Sequence, residues 1–514
     1  MTAIQSVWHV AREYMGVAEA GGVKDMVRGL AEAQARSGMA LTAVIPLYGF
    51  ARERLERESQ PVASCTVRLP DLETWSRMTD EPVSIREARI GAVRLLLLDS
   101  PRFAAKRDVY TWTAEDEREN QHRRKGHGHW DVHHLNILLQ RAALEAAVLL
   151  SEAPAVFHCH DGHAAFLPAI AREDARFATC LSGSRMVVTI HNAGDGYHQE
   201  IWDPKVAGHL TGLDAGVIEK GLLRGKADPF LLSAAYARIN TVSEQYAAEL
   251  LAERDTEQAG GLGRAFRERG VPFTGITNGV DGEVWDPRYP ERTGLPAGFD
   301  PGTGDLVGKR RCREALIARI GPRTTAGESG QPLFAFVGRL TGQKGVGVLQ
   351  AAIRILSAAG DCPSFVILGT GDTATEGMMR ALERDIGIHV CFKAGWDPSL
   401  ADLIYAAADF LVLPSAYEPC GLADFHGQLV GTVPLVHAVG GLRKVRDGET
   451  GYSYANQAPA TLAAAIRRCA RIHREDPAAL DAVRRRAFRE IFELHSWDRV
   501  HREGYLPLYR AAGA

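Results

Sequence analysis

At 514 residues the chain is longer than one hydrophobic core supports, so two or three domains are expected. With 46% hydrophobic and 24% charged residues it has the composition of a globular protein. A formal net charge of -3 sets aside nucleic acid as the main partner, while leaving room for a local basic patch that holds a small anion.

Short apolar, β-rich runs alternate with helical patterns along the chain. The first strand leads into Gly21-Gly22 and a helix over 24–37, and further strands follow at 41–46, 93–99, 155–159, 186–190 and 238–242. A second series occupies 273–277, 333–337, 364–368, 410–413 and 433–437, with helices at 141–152, 346–358 and 398–407. Strands separated by helices imply parallel sheets of βαβ units. The series divides at a glycine-rich, charged stretch, so the expected plan is a first Rossmann-like domain over 1–252, a linker over 253–270 and a second domain from 271 to 492. Two doubly wound α/β domains facing across a cleft follow, with ligands at the carboxyl ends of the strands.

The eight cysteines are scattered, and none forms a C-x-x-C pair, which argues against a zinc framework or a disulfide scaffold. Residues 1–10 lack a basic region leading into an apolar core, and no apolar run approaches about 18 residues. The expectation is a cytoplasmic enzyme with no membrane partner.

Several strand ends carry chemistry. At Gly21-Gly22 the glycines let backbone N–H groups approach a phosphate, or simply make a tight turn. His158-Cys159-His160-Asp161-Gly162-His163 ends a strand; as a metal site it misplaces the aspartate of H-x-H-x-D-H and lacks further ligands, so no metal is expected. Gly338-Arg339-Leu340-Thr341-Gly342-Gln343-Lys344-Gly345 brings two cations into one strand-to-helix loop, which suits a diphosphate leaving group on which charge develops. Glu418-Pro419-Cys420-Gly421-Leu422 places a carboxylate on a turn after another strand, and Gly440-Gly441-Leu442-Arg443-Lys444 is a second loop of glycines and cations.

Taken in order, these segments resemble the bacterial glycogen/starch synthases. Gly21-Gly22 is similar to the K-T-G-G-L loop, His160-Asp161-Gly162-His163 to H-D-W-H, and Thr189-Ile190-His191-Asn192 to T-x-H-N. Asn240-Thr241-Val242-Ser243 resembles the T-V-S that closes the first domain, and Thr277-Asn278-Gly279-Val280-Asp281 with Trp285 resembles L-N-G-I-D…W. The 338–345 loop, Glu418 to Leu422, and Gly431-Thr432-Val433-Pro434 through Gly440-Gly441-Leu442 match G-R-L-T-x-Q-K-G, E-P-C-G-L and G-T-V-P…G-G-L.

The resemblance implies a GT-B fold and a retaining hexosyltransferase that needs no cofactor and passes glucose from a nucleotide-glucose, ADP-glucose for preference, to an α-1,4-glucan. It assigns Arg339 and Lys344 to the leaving diphosphate, Glu418 to the glucose hydroxyls, and Cys420, Gly421, Leu422 and Gly441 to backbone contacts. His160 and Asp131 would stand at the catalytic centre, and Asn192 and Asn278 would support it. Trp396 would stack on the base, and residues 493–514 would return to the first domain. Four departures mark a divergent branch. Glu19 replaces the lysine of K-T-G-G, residues 131–136 keep only the aspartate of D-N-x-x-R-F, Gly162 replaces a tryptophan, and Ala423-Asp424 replaces Thr-Gln. Lys24 is the candidate replacement for the missing cation. The competing readings are a transferase with a small acceptor, a catalytically silent relative, and a zinc hydrolase built on the histidines.

Overall fold

The computed structural model describes residues 4–75, 77–194, 196–252, 259–282, 284–321 and 330–512. They form two compact units, one running to Gly279 and resuming at Trp497, the other Val280–Ser496.

The first unit is built on strands β1 (Ser6–Val10), β2 (Ala40–Pro46), β3 (Gln60–Pro70), β4 (Met78–Ile90), β5 (Val93–Asp99), β6 (Val156–His160) and β7 (Arg185–Ile190). A two-residue ribbon of β8 (Leu222–Leu223) and β9 (Lys226–Ala227) stands apart, and β10 (Arg238–Thr241) and β11 (Phe273–Gly275) complete the sheet. Its order is β11-β10-β7-β6-β1-β2-β5-β4-β3, parallel from β11 to β5. The parallel strands read as apolar runs because both faces are covered, and β6 is buried at every position. The all-parallel expectation fails at one edge, where β4 runs antiparallel to both β5 and β3. Only Val83, Ile85 and Ala88 of this strand are buried, so it yields no continuous apolar run.

The second unit contains β12 (Leu333–Val337), β13 (Ser364–Gly369), β14 (Val390–Ala394), β15 (Phe410–Leu413), β16 (Val433–His437) and β17 (Tyr452–Tyr454). They lie in the order β14-β13-β12-β15-β16-β17, all parallel. In each sheet the chain first builds outward on one side and then reverses, leaving a switch point between β1 and β6 in one and between β12 and β15 in the other. Crevices at such points, outside the carboxyl ends of the strands, are where open α/β sheets bind ligands.

The domain boundaries differ from the sequence expectation. Residues 253–258 of the expected linker lie outside the described residues, and the rest of it carries a helix, Leu262–Glu268, within the first unit. The strand expected to open the second domain is β11, which pairs with β10 through Ile239 and Phe273. The returning segment begins at Trp497, whose indole packs on Gly29 of α1 (Val23–Arg36) so closely that a Cβ there would lie 2.1 Å from it. Among the described residues no helix is long and apolar enough to cross a membrane.

Candidate active site

In the second unit the switch point brings the loop after β12 against the loop after β15. Gly345 permits this approach: it begins the helix Val346–Ala358 at φ +70°, and a Cβ would come 1.9 Å from the Pro414 carbonyl oxygen. Lys344 Nζ donates to Glu418 Oε2 at 2.7 Å, and the Ser415 hydroxyl donates to the same oxygen at 2.9 Å. Burial acts to raise the Glu418 pKa, but Lys344 and Ser415 overcome it and hold the carboxyl below its ordinary value. The group is an ionised, acceptor-only carboxylate, suited to hydroxyl donors. A cavity of about 50 Å³ lies among Lys344, Ser415, Glu418 and Gly421. Arg339 is exposed at the end of β12, and Trp396, after β14, is 64% exposed.

Gly441 N–H donates to the Glu418 carbonyl at 2.8 Å, and a Cβ at Gly441 would lie 2.1 Å from the Cys420 oxygen, so only glycine lets the two loops meet. Lys444, read from the sequence as part of a glycine-and-cation loop, points inward instead. Its Nζ donates to the carbonyls of Cys420, Gly421 and Gly441 and pairs with Asp424 at 3.1 Å. Because C=O and N–H point opposite ways across a trans peptide, this turns the N–H groups of Gly421 and Leu422 away from Lys444. Asp424 is fully buried, and burial pushes its pKa up to about 6. Neither Ser415 nor the Lys444–Asp424 pair was singled out from the sequence, because each acts through a partner in another loop.

In the first unit the residues singled out from the sequence have partners that the sequence did not show. At the Gly21-Gly22 turn, expected to meet a phosphate, the N–H groups of Ala20 and Gly21 donate to Glu13 Oε2 at 3.1 and 2.5 Å. Glu13 also accepts from the Tyr110 hydroxyl at 2.5 Å and is 1% exposed, so the turn already holds an internal acceptor. Gly22 is the N-cap of α1. Glu19 turns back to accept from Gly16 N–H, and Lys24 Nζ lies 2.9 Å from both oxygens of its neighbour Asp25, which answers its charge locally. Asp131 accepts from Lys106 at 2.7 Å and Arg102 at 3.0 Å. These cations outweigh its burial and lower its pKa, which makes it an ion-pair centre rather than a ready base.

His160, expected beside the sugar, is 1% exposed with both ring nitrogens engaged, by His9 at 2.9 Å and His191 at 3.0 Å. Burial lowers its pKa well below the ordinary histidine value. His9, His158 and His160 bring nitrogens within 4.8 Å of one another, a set the spacing of 158–163 did not reveal. His9 and His158 also use both nitrogens in hydrogen bonds, so the cluster fits a metal poorly. Asn192 accepts from Gly194 N–H, and Asn278 is buried with an Oδ1 that has no partner among the described residues. A larger cavity of about 460 Å³ opens at the other end of this sheet, beside Ser6, Ala40, Arg94 and Glu152, and none of the motif residues lines it.

Two family matches cover most of the chain: residues 6–268 match the starch synthase catalytic domain, and residues 323–480 match the glycosyl transferases group 1. The chain belongs to the glycogen/starch synthase family. A glycogen synthase of Anaeromyxobacter dehalogenans (strain 2CP-C) is 31% identical over 518 residues, covering 98% of each chain. One from Aeromonas salmonicida (strain A449) is 29% identical over 506 residues, covering 94% of each. Among solved structures, the catalytic domain of starch synthase IV from Arabidopsis thaliana, bound to ADP and acarbose, is similar with a TM-score of 0.83 at 23% identity over the whole of both chains. A sucrose-phosphate synthase from Thermosynechococcus elongatus is similar at a TM-score of 0.58 and 17% identity, covering 99% of this chain and 98% of that one. This family member is thus a glucosyltransferase of the GT-B class, with two Rossmann-like domains.

Proposed function

We propose that the chain elongates an α-1,4-glucan by transferring glucose from a nucleotide-glucose, ADP-glucose for preference, with retention at the anomeric carbon. The observation that carries this reading is the Lys344–Glu418–Ser415 cluster at the β12/β15 switch point. The anomeric C–O bond breaks and its electron pair leaves with the diphosphate, where Lys344 and Arg339 answer the growing negative charge. An acceptor hydroxyl forms the new bond and gives up its proton to the departing phosphate oxygen. Glu418, ionised, accepts hydrogen bonds from glucose hydroxyls, and the Gly421 and Leu422 N–H groups supply donors. The exposed Trp396 indole offers a flat face to the base.

The family membership and the ADP in the Arabidopsis relative support the donor, and the glycogen synthases support the acceptor. A cytoplasmic location belongs to the same reading, supported by eight free cysteines. The test is a panel of nucleotide-glucoses offered with glycogen, maltose and glucose 6-phosphate, followed by nucleotide release and product analysis. Longer glucan chains formed fastest from ADP-glucose are expected. Transfer only to a small acceptor, or a preference for UDP-glucose, overturns the corresponding half.

A further inference from the structure

A chain of buried hydrogen bonds in the first unit has a fixed direction. Asn240 Nδ2 donates to the Thr241 carbonyl at 3.3 Å, and a carbonyl can only accept, so Asn240 Oδ1 faces Thr189 and accepts its hydroxyl proton at 2.8 Å. Thr189 Oγ1 must then accept from His158 Nε2–H at 2.6 Å, which leaves His158 Nδ1 to accept from the Tyr509 hydroxyl at 2.8 Å. The Tyr509 oxygen accepts from Gln34 Nε2 at 2.8 Å, so Gln34 Oε1 accepts from His9 Nε2–H at 2.8 Å. His9 Nδ1 then takes His160 Nε2–H, and His160 Nδ1 takes His191 Nε2–H.

This proton order requires neutral rings, and burial keeps them so. His9 is drawn down to about 4 and His191 to about 3, with His158 and His160 well below the ordinary value. Every donor and acceptor along the path is matched except the last. His191 Nδ1 carries a lone pair with no partner among the described residues, on a residue that is 8% exposed. The residue follows Ile190, the last of β7, and its backbone N–H donates to Asp161 Oδ1 at 2.7 Å, beside the β1/β6 switch point.

We propose that His191 is a sugar-binding residue whose Nδ1 accepts a hydrogen bond from a glucose or glucan hydroxyl, and that Gln34 and Tyr509 are positioning residues that fix its tautomer. The ligand class rests on the transferase reading; the proton order does not. His160, hydrogen-bonded on both sides, transmits this order. Tyr509 belongs to the returning segment, which thereby sets hydrogen-bond polarity about 320 residues earlier in the chain, an effect of tertiary contact alone.

The full chain labelled with ¹⁵N-histidine provides the test. Expected are Nε2–H tautomers for His160 and His191, and a shift of the His191 Nδ1 resonance on adding maltotetraose or ADP-glucose, with His158 unmoved. In Tyr509→Phe the order loses its link, so His160 and His191 should become tautomer mixtures and kcat/KM should fall about tenfold. A variant that merely lost packing would keep the tautomers. Nδ1–H at His191 in the unaltered chain, a resonance unmoved by both sugars, or unchanged tautomers and kcat/KM in Tyr509→Phe each overturn the proposal. Glucose transfer to glycogen with an unmoved His191 strikes this inference alone. A His191 shift without any transfer strikes the elongation reading and leaves this one standing.

Discussion

Two glycine-rich strand-to-helix turns, Gly21-Gly22 in the first unit and the 338–345 loop in the second, look alike in sequence and differ in what they face. The first spends the N–H groups of Ala20 and Gly21 on Glu13, a carboxylate from the loop after β1. The second carries Lys344 to a carboxylate beside a small open cavity. Glycine makes a backbone approachable, but the partner already within reach decides whether the turn is a ligand site or an internal joint.

The largest effect that sharpens this contrast belongs to Lys344→Ala. Losing a preorganised cation on developing charge should lower kcat by about 10²–10³, with the circular-dichroism spectrum unchanged. Steady-state kinetics giving near-normal kcat in the folded variant would remove Lys344 from the chemistry.

Glu13→Ala should act on stability instead. It leaves the Ala20 and Gly21 N–H groups and the Tyr110 hydroxyl without their acceptor, at a cost of about 1–3 kcal/mol. Donor KM should stay within about twofold of the unaltered chain. A large fall in donor KM, measured beside urea unfolding, would mean that Glu13 competes with phosphate for the turn.

Acid should separate the two units. In the first, burial holds His9, His129 and His133 at about 4 and His191 at about 3, against 6.5 for a free histidine. Between pH 6.5 and 4 the unfolded chain therefore takes up protons that the folded unit refuses, and stability falls as pH falls through that window. Asp161, raised to about 7 by burial, and Glu13 act the other way but are fewer. In the second unit Asp409 and Glu418 have lowered pKa values, so their stabilisation survives until pH drops below the ordinary carboxylate range. Hydrogen exchange compared at pH 7.5 and 5 should show protection lost first in the first unit. Equal loss in both would contradict this account.

Lys24→Ala should have the smallest effect. Its ammonium is already paired with its neighbour Asp25, so donor kinetics should change less than tenfold. A tenfold rise in donor KM would restore Lys24 as the replacement for the missing lysine.

The sequence by itself determined the alternation of strands and helices, because parallel strands buried on both faces read as apolar runs. Those at 93–99, 333–337, 410–413 and 433–437 coincide with β5, β12, β15 and β16 residue for residue. It also marked the loops that carry Lys344, Glu418 and Gly441, since each combines glycine with charge at a strand end. Tertiary structure alone decided which partner each polar group met. Glu13 closes a turn only because β1 and that turn are folded together with Tyr110. His160 has both ring nitrogens engaged because the fold brings His9 and His191, 151 and 31 residues away, against it. The antiparallel β3–β4 edge and the reach of the first unit to Gly279 were likewise invisible, because half-exposed strands and edge pairings leave no continuous apolar signal. Periodicity records which face is buried; a hydrogen bond depends on what the fold brings opposite, and no local pattern encodes that.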